Sequence, residues 1–269
     1  MRYGVIADVH ANLQALDAAI AVLEEAGAQH YLCAGDLVGY GPSPNECVAR
    51  LAEIGVTCVA GNHDLIVLGR LSDARCIPLA RRSLVWTRAV LAEESVGYLS
   101  DLPATATIEG GVAIAHGSWD DPQQYVRGPL EAAEQLRRLR VDAPSARILI
   151  LGHTHRPLAY GDAAGICSLK PGRSLALPAS ESFVLNPGSV GQSRTRGVRA
   201  RAMLLDCDRG LVTSYSVAYD TRAARAALDE AGLPAESIHL RPPRLRDARR
   251  ALRGVAVALC RGRPPGARL

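Results

Sequence analysis

Short apolar runs that stop abruptly at a polar residue set the pattern of this chain. Residues 3–7, 30–34, 56–59 and 147–151 are four such runs, and their low polarity predicts strands covered on both faces. Between the first three, the period changes to that of a helix. Leu13, Leu16, Ile20 and Leu23 share one face, with Asn12 placed to cap its start and Gly27 to stop it. Ser43-Pro44-Asn45-Glu46 reads as a capping box with proline at the first helical position, opening a helix that runs to about Glu53. The opening order is therefore β-α-β-α-β.

Residues 65–103 predict helix, with Leu79, Leu84, Trp86, Val90 and Leu91 as apolar faces and Pro103 as its end. Residues 104–108 and 112–115 predict a hairpin about Gly110-Gly111, and residues 202–206 and 211–217 a second about Arg209-Gly210. Residues 130–139 are an amphipathic helix, while 175–177 and 182–185 are short strands. Thr221 opens a helical segment broken at Pro234 and at Pro242-Pro243. There is no internal repeat and no low-complexity linker.

The polar residues that end the runs are ligand types. The first strand ends in Asp8-Val-His10, the second in Gly35-Asp36 and the third in Gly61-Asn62-His63-Asp64. The hairpin ends in His116, residues 147–151 lead to Gly152-His153-Thr-His155, and the strand at 182–185 leads to Asn186-Pro-Gly-Ser189. One Asp or Asn after a strand is ordinary turn punctuation. Several strands in succession ending this way predict one shared site, because ligands collect at the carboxyl ends of such strands. Imidazole is the commonest metal ligand among side chains, so the site reads as a metal centre. The loop 118–125, with Trp119, two acids and Tyr125, is placed to contact a substrate or to be a solvated turn.

Composition narrows the classes. A chain of 269 residues with 48% hydrophobic and 22% charged residues buries a sizeable core and is not disordered. No run approaches 18 apolar residues, so no membrane span is expected, and the short run before Asp8 is no signal-peptide core. The expected location is cytoplasmic. Seven cysteines without a Cys-x-x-Cys pair predict reduced thiols and argue against cysteine-ligated zinc. Net charge is +4, but nine arginines against Asp247 give residues 241–269 a local balance of +8, so the rest carries −4. We expect one domain over residues 1–240 and a basic C-terminal extension over 241–269. Such a tail offers contact to nucleic acid or an acidic partner, or is simply a solvated helix with a Pro/Gly-rich end.

The motif series from Asp8 to Ser189 resembles the calcineurin-like metallophosphoesterase superfamily, and Gly39-Tyr-Gly-Pro42 with Pro44-Asn45-Glu46 is similar to a bacterial branch of small phosphoesterases. The resemblance implies an α+β fold, a four-layer α/β/β/α sandwich of two mixed sheets flanked by helices. It implies that Asp8, His10, Asp36 and His155 hold one metal and Asp36, Asn62, His116 and His153 another, with Asp36 as the bridge. Mixed nitrogen and oxygen donors favour manganese, iron, zinc or nickel over magnesium.

The implied chemistry is hydrolysis of a phosphoester by a metal-bridging hydroxide. His63 is then the general acid and Asp64 the group that orients its imidazole. Asn62, His63 and Arg194 (or Arg196) are the expected substrate contacts. Val59-Ala60 stands where Ser/Thr protein phosphatases carry an arginine, and Asp64 where they carry Glu. A small or nucleotide-like phosphodiester or phosphomonoester is therefore the expected substrate, the diester narrowly preferred. The alternatives are a non-catalytic metal-binding scaffold and a nuclease guided by the basic tail.

Overall fold

The computed structural model describes residues 1–240; the basic extension over 241–269, with the expected break at Pro242-Pro243, lies outside the described residues. The opening β-α-β-α-β unit is present. Strands β1 (Arg2–Ile6), β2 (His30–Cys33) and β3 (Thr57–Cys58) run parallel, joined by helices α1 (Leu13–Glu25) and α2 (Pro44–Glu53). The Asn12 side chain accepts the Ala15 N–H at 3.2 Å and caps α1 as its sequence predicts. The capping box at Ser43 does not form. Ser43 donates its backbone N–H to the Ala11 carbonyl, which removes the donor that Glu46 would have capped, and its hydroxyl makes no cap bond.

Residues 65–103 are not one helical stretch. They divide among α3 (Asn62–Val67), α4 (Pro78–Val90) and α5 (Glu93–Ser100). The chain leaves α3 through Gly69 at φ 73° and restarts at Pro78, which suits a first helical turn. Trp86 packs with the cluster of Leu228, Leu233 and Ile238 beside α7 (Thr221–Glu230), a packing role.

The first sheet continues antiparallel from β1 through β11 (Ala200–Asp206) and β12 (Leu211–Val217) to β9 (Ser174–Ala176). The second sheet runs β4 (Thr105–Ile108), β5 (Val112–Ala115), β6 (Ile148–Ile150), β10 (Phe183–Asn186), β7 (Leu158–Gly161) and β8 (Gly165–Ile166). In it β5, β6 and β10 are parallel and the other pairs antiparallel, so both sheets are mixed. Strands β7 and β8 have no clear signature in the sequence. They exist because β10 offers an edge on which residues 158–161 pair.

The sheets pack face to face through Val5, Leu32, Ile114, Ile150, Leu185 and Met203. Leu16, Ile20 and Leu51 bury α1 and α2 on the outer face of the first sheet. Leu136 and Leu139 bury α6 (Pro129–Asp142) on the outer face of the second. The result is the expected four-layer arrangement of two mixed sheets between helices. No helix among the described residues is long and apolar enough to cross a membrane.

One loop locks the two sheets together at the end where the parallel strands stop. After β10 the chain turns back, and Val190 and Gly191 donate their backbone N–H groups to Ala7 and Asp8 carbonyls, both at 3.0 Å. A Cβ on Gly191 would sit 1.8 Å from the Val9 carbonyl oxygen, so only glycine allows this approach. Gly191→Ala should therefore cost about 3 kcal/mol of stability through overpacking against backbone. A denaturant midpoint unchanged from wild type would show that the loop does not hold the sheets in this register.

Candidate metal centre

Loops from the carboxyl ends of β1, β2, β3, β5, β6 and β10 meet at that locked end. They are held there in an unusual backbone conformation. Asp8, His10, Asp36, His153 and His155 have φ of 53°, 48°, 55°, 64° and 57°. Among the described residues, the other non-glycine residues with positive φ are Ala11, next to His10, and Tyr40, on the cleft wall. Left-handed backbone costs about 1 kcal/mol or more for each such residue, and hydrogen bonds from neighbouring strand exits maintain it. Asp8, His10 and Ala11 donate to the Gly35, Asp36 and Leu37 carbonyls at 2.9 Å, and His153 donates to Asp8 Oδ1 at 2.9 Å.

This backbone brings two groups of donor atoms together, one from Asp8, His10, Asp36 and His155 and one from Asp36, His116 and His153. Within each group the atoms lie within 4.8 Å of one another, and all six residues are buried. Asn62 joins the second group, its Oδ1 standing 3.1 Å from His116 Nε2. The residues that the sequence predicts as ligands are thus assembled in one place, with Asp36 common to the two donor groups.

The donor set fits cations. The Nδ1 atoms of His10 and His155 face the Val38 and Gln192 carbonyls at 3.2 and 2.7 Å, and a carbonyl can only accept, so Nδ1 carries the hydrogen. That directs the Nε2 lone pairs of the two rings toward each other at 3.0 Å. Facing lone pairs repel, and a cation between them removes the conflict. Asp8 Oδ2 and His153 Nε2 are buried with no hydrogen-bond partner, an arrangement that an ion also satisfies.

Electrostatics follow from burial and crowding. Burial acts to raise Asp36, but His116, His63 and His10 outweigh it and hold this carboxylate well below the usual range. Burial would lower His116, yet Asp36, 3.2 Å away, reverses this and pushes it up to about 9. Burial lowers His153 to about 3 and drives His10 and His155 well below their usual range, so these rings keep free lone pairs.

His63 lines the cleft mouth, its ring 4.8 Å from that of Tyr40 and 4.7 Å from that of His10. Gly39, at φ 82°, leaves room for it: a Cβ there would lie 2.3 Å from His63 Nδ1. The expectation that Asp64 orients this ring is not met. Asp64 Oδ1 accepts from Leu37 and Val38, Oδ2 accepts from Gly61, and His63 Nδ1 is left without a partner. With three backbone donors on its two oxygens, Asp64 ties the loop after β2 to the start of α3 instead.

Arg194 lines the cleft, held by Gln192 Oε1 at 3.2 Å, whereas Arg196 is exposed and off its walls. The geometry thereby separates two arginines that the sequence left as alternatives. Cys76, Ile77 and Ala80 reach one wall from the start of α4 and the segment before it, and Gln123 and Tyr125 another. Tyr40 and Arg75 were not foreseen. Tyr40 sits inside the Gly39-Tyr-Gly41 turn, which was a visible signal. Arg75 bridges the mouth to Asp121 at 2.9 Å and the Gln123 carbonyl at 3.0 Å, a long-range contact without local signature.

Residues 1–210 match the family model of the calcineurin-like phosphoesterase superfamily domain. The chain is 30% identical over 235 residues to an uncharacterized protein of Methanocaldococcus jannaschii, covering 86% of this chain and 93% of that one. Its fold is similar to a metallophosphoesterase from Sphaerobacter thermophilus, with TM-score 0.72 and 35% identity over 88% of this chain and 96% of that one. A hypothetical protein from Pyrococcus horikoshii shares the fold at TM-score 0.69 and 23% identity, with the same coverage.

Asp64→Asn tests the anchoring role. An amide has one acceptor oxygen in place of two, so at least one buried N–H loses its partner and stability should fall by about 2 kcal/mol. A variant as stable as wild type in urea would leave the three hydrogen bonds without structural weight.

Proposed function

Because this chain belongs to the calcineurin-like phosphoesterase superfamily, we propose that it is a metal-dependent hydrolase of a small or nucleotide-like phosphoester. The observation that carries this reading is the pair of donor groups sharing Asp36, with His63 and Arg194 on the same cleft. Asp8, His10, Asp36 and His155 would hold one cation; Asp36, Asn62, His116 and His153 would hold a second. Manganese, iron, zinc or nickel suits these donors better than magnesium. When bound, such cations supply Lewis acidity toward phosphoryl oxygens and a water of lowered pKa.

The remaining work falls to the chain's own side chains. Arg194 donates to a non-bridging phosphoryl oxygen and sets the orientation of the ester. The Asn62 carboxamide, its oxygen turned to the His116 side, keeps its N–H donors for another phosphoryl oxygen. His63 delivers a proton to the departing oxygen. Burial holds its pKa at about 4 in the free chain, and the phosphoester anion beside it is the group that raises it. Ile77 and Ala80 on one wall and Tyr125 on another exclude water around the ester.

A diester is favoured over a monoester. Beyond the cations, the cleft presents Arg194 to a substrate while Arg75 is engaged by Asp121, and this modest added charge matches a monoanion better than a dianion. After reconstitution with manganese, iron, zinc and nickel in turn, bis-p-nitrophenyl phosphate should turn over faster than p-nitrophenyl phosphate. Absence of turnover of any ester with all four metals would overturn the proposal.

Asp36→Asn removes the shared carboxylate. It should bind fewer than two metals per chain by elemental analysis and lose more than about 100-fold in activity. Two metals with full activity would rule out the bridging role. His63→Gln should keep its metals and lose on the order of 10²–10⁴-fold on esters with an alkoxide leaving group, the usual reach of general acid catalysis. On nitrophenyl esters, whose leaving group needs no proton, the loss should be far smaller. Equal losses on both would remove His63 from the acid role.

A further inference from the structure

A second cavity of about 430 Å³ adjoins the metal cleft, and its walls carry Arg127, Arg156 and Arg194 without one carboxylate. The cavity is built from three pieces of chain that also contribute to the cleft. Tyr125 lines the cleft and Arg127 the cavity; His153 and His155 line the cleft, Thr154 and Arg156 the cavity; Arg194 lines both. Arg194 therefore stands where the cleft that holds the donor groups adjoins a cationic recess.

Arg127 and Arg156 are not spent on structure. Most arginines near the cleft are committed: Arg75 to Asp121 and Gln123, Arg81 to the carbonyls of Asp73 and Ala74, and Arg88 to those of Ile66 and Val67. Arg127 and Arg156 are exposed, and among the described residues neither guanidinium has a hydrogen bond or an ion pair. Arg127 is nonetheless held in place. Its Cζ lies 3.9 Å over the Tyr125 ring, and Tyr125 in turn stacks on His153 at 4.2 Å with a 27° tilt. One guanidinium is thus carried on an aromatic post that stands on a residue of the donor set, which fixes its position relative to the reacting phosphorus.

Two free guanidinium forks in a concave recess without acids match the oxygens of a phosphate, which arginine binds with paired hydrogen bonds. Building on the phosphoester reading above, we infer that Arg127 and Arg156 form a second anionic subsite, and that the substrate carries a further phosphate group beyond the ester that is cleaved. Arg194, on the boundary, stands between the two phosphates. The subsite selects substrates such as nucleotide esters bearing another phosphate over simple diesters.

Binding and turnover test this separately on the full chain. Thymidine 3′,5′-bisphosphate and thymidine 5′-monophosphate are titrated calorimetrically into wild type, Arg127→Gln, Arg156→Gln and the double variant. Wild type should prefer the bisphosphate by about tenfold or more, the usual weight of a charge-assisted hydrogen bond. In the double variant the ratio of the two affinities should collapse toward one, and Arg156→Gln, which leaves the Tyr125 stack untouched, should by itself lower it. No preference in wild type, or a preference that survives both substitutions, would overturn the subsite, the latter pointing to the arginines beyond residue 240. Turnover of the p-nitrophenyl ester of thymidine 5′-phosphate is measured in parallel. Its absence with every metal would remove the hydrolase reading while the binding ratio still decides the subsite.

Discussion

The cleft depends on the His153 backbone N–H reaching Asp8 Oδ1 across the sandwich at 2.9 Å. Asp8 leaves the end of β1 in one sheet and His153 the end of β6 in the other, so this hydrogen bond sets the distance between two otherwise separate strand ends. The end of β10 and the loop after it fasten both partners. Ser189 Oγ donates to the Asp8 carbonyl at 2.8 Å, and Asn186 Nδ2 donates to the Gly152 carbonyl. Left-handed backbone at Asp8, His10, Asp36, His153 and His155 persists because these bonds leave the loops no relaxed alternative. Released from them, the same side chains would diverge.

The site's chemistry conflicts with its own stability. Buried imidazoles and carboxylates crowd together, two Nε2 atoms face each other, and polar atoms of Asp8 and His153 have no partner. A core optimised only for folding would not contain these features. Each of them is relieved by a cation, which is why the donor set reads as a metal centre. The hydrophobic layer between the sheets, from Val5 to Met203, and the helices packed outside it provide the stability that tolerates the conflict.

The mouth of the cleft is shaped by elements that do not belong to the sandwich. The segment before α4 and the loop after β5 reach toward each other over the cleft and are tied by Arg75. Tyr125 links the same loop to the donor residues through its stack on His153. The rim of the cleft is therefore assembled from loops held at both ends, and the donor cluster lies on rigid strand exits.

The sequence by itself determined what is local. Apolar runs marked the strands, and the residue type following each run marked Asp8, His10, Asp36, Asn62, His116, His153 and His155, because a strand exit and its side chain need no distant partner to be recognised. The alternation of elements gave the β-α-β-α-β opening, and the family resemblance carried by those residues implied the mixed-sheet sandwich. Tertiary structure decided whatever depends on a partner far along the chain. The Ser43 box was lost because Ala11 took its N–H, and β7 and β8 arose on the edge of β10. Asp64 turned from His63 to three amides contributed by loops 3 to 27 residues away, since a buried carboxylate goes to the donors that the fold brings to it. Arg194 and Arg196 are equivalent in sequence, and only the course of the loop after β10 puts one in the cleft and the other in solvent.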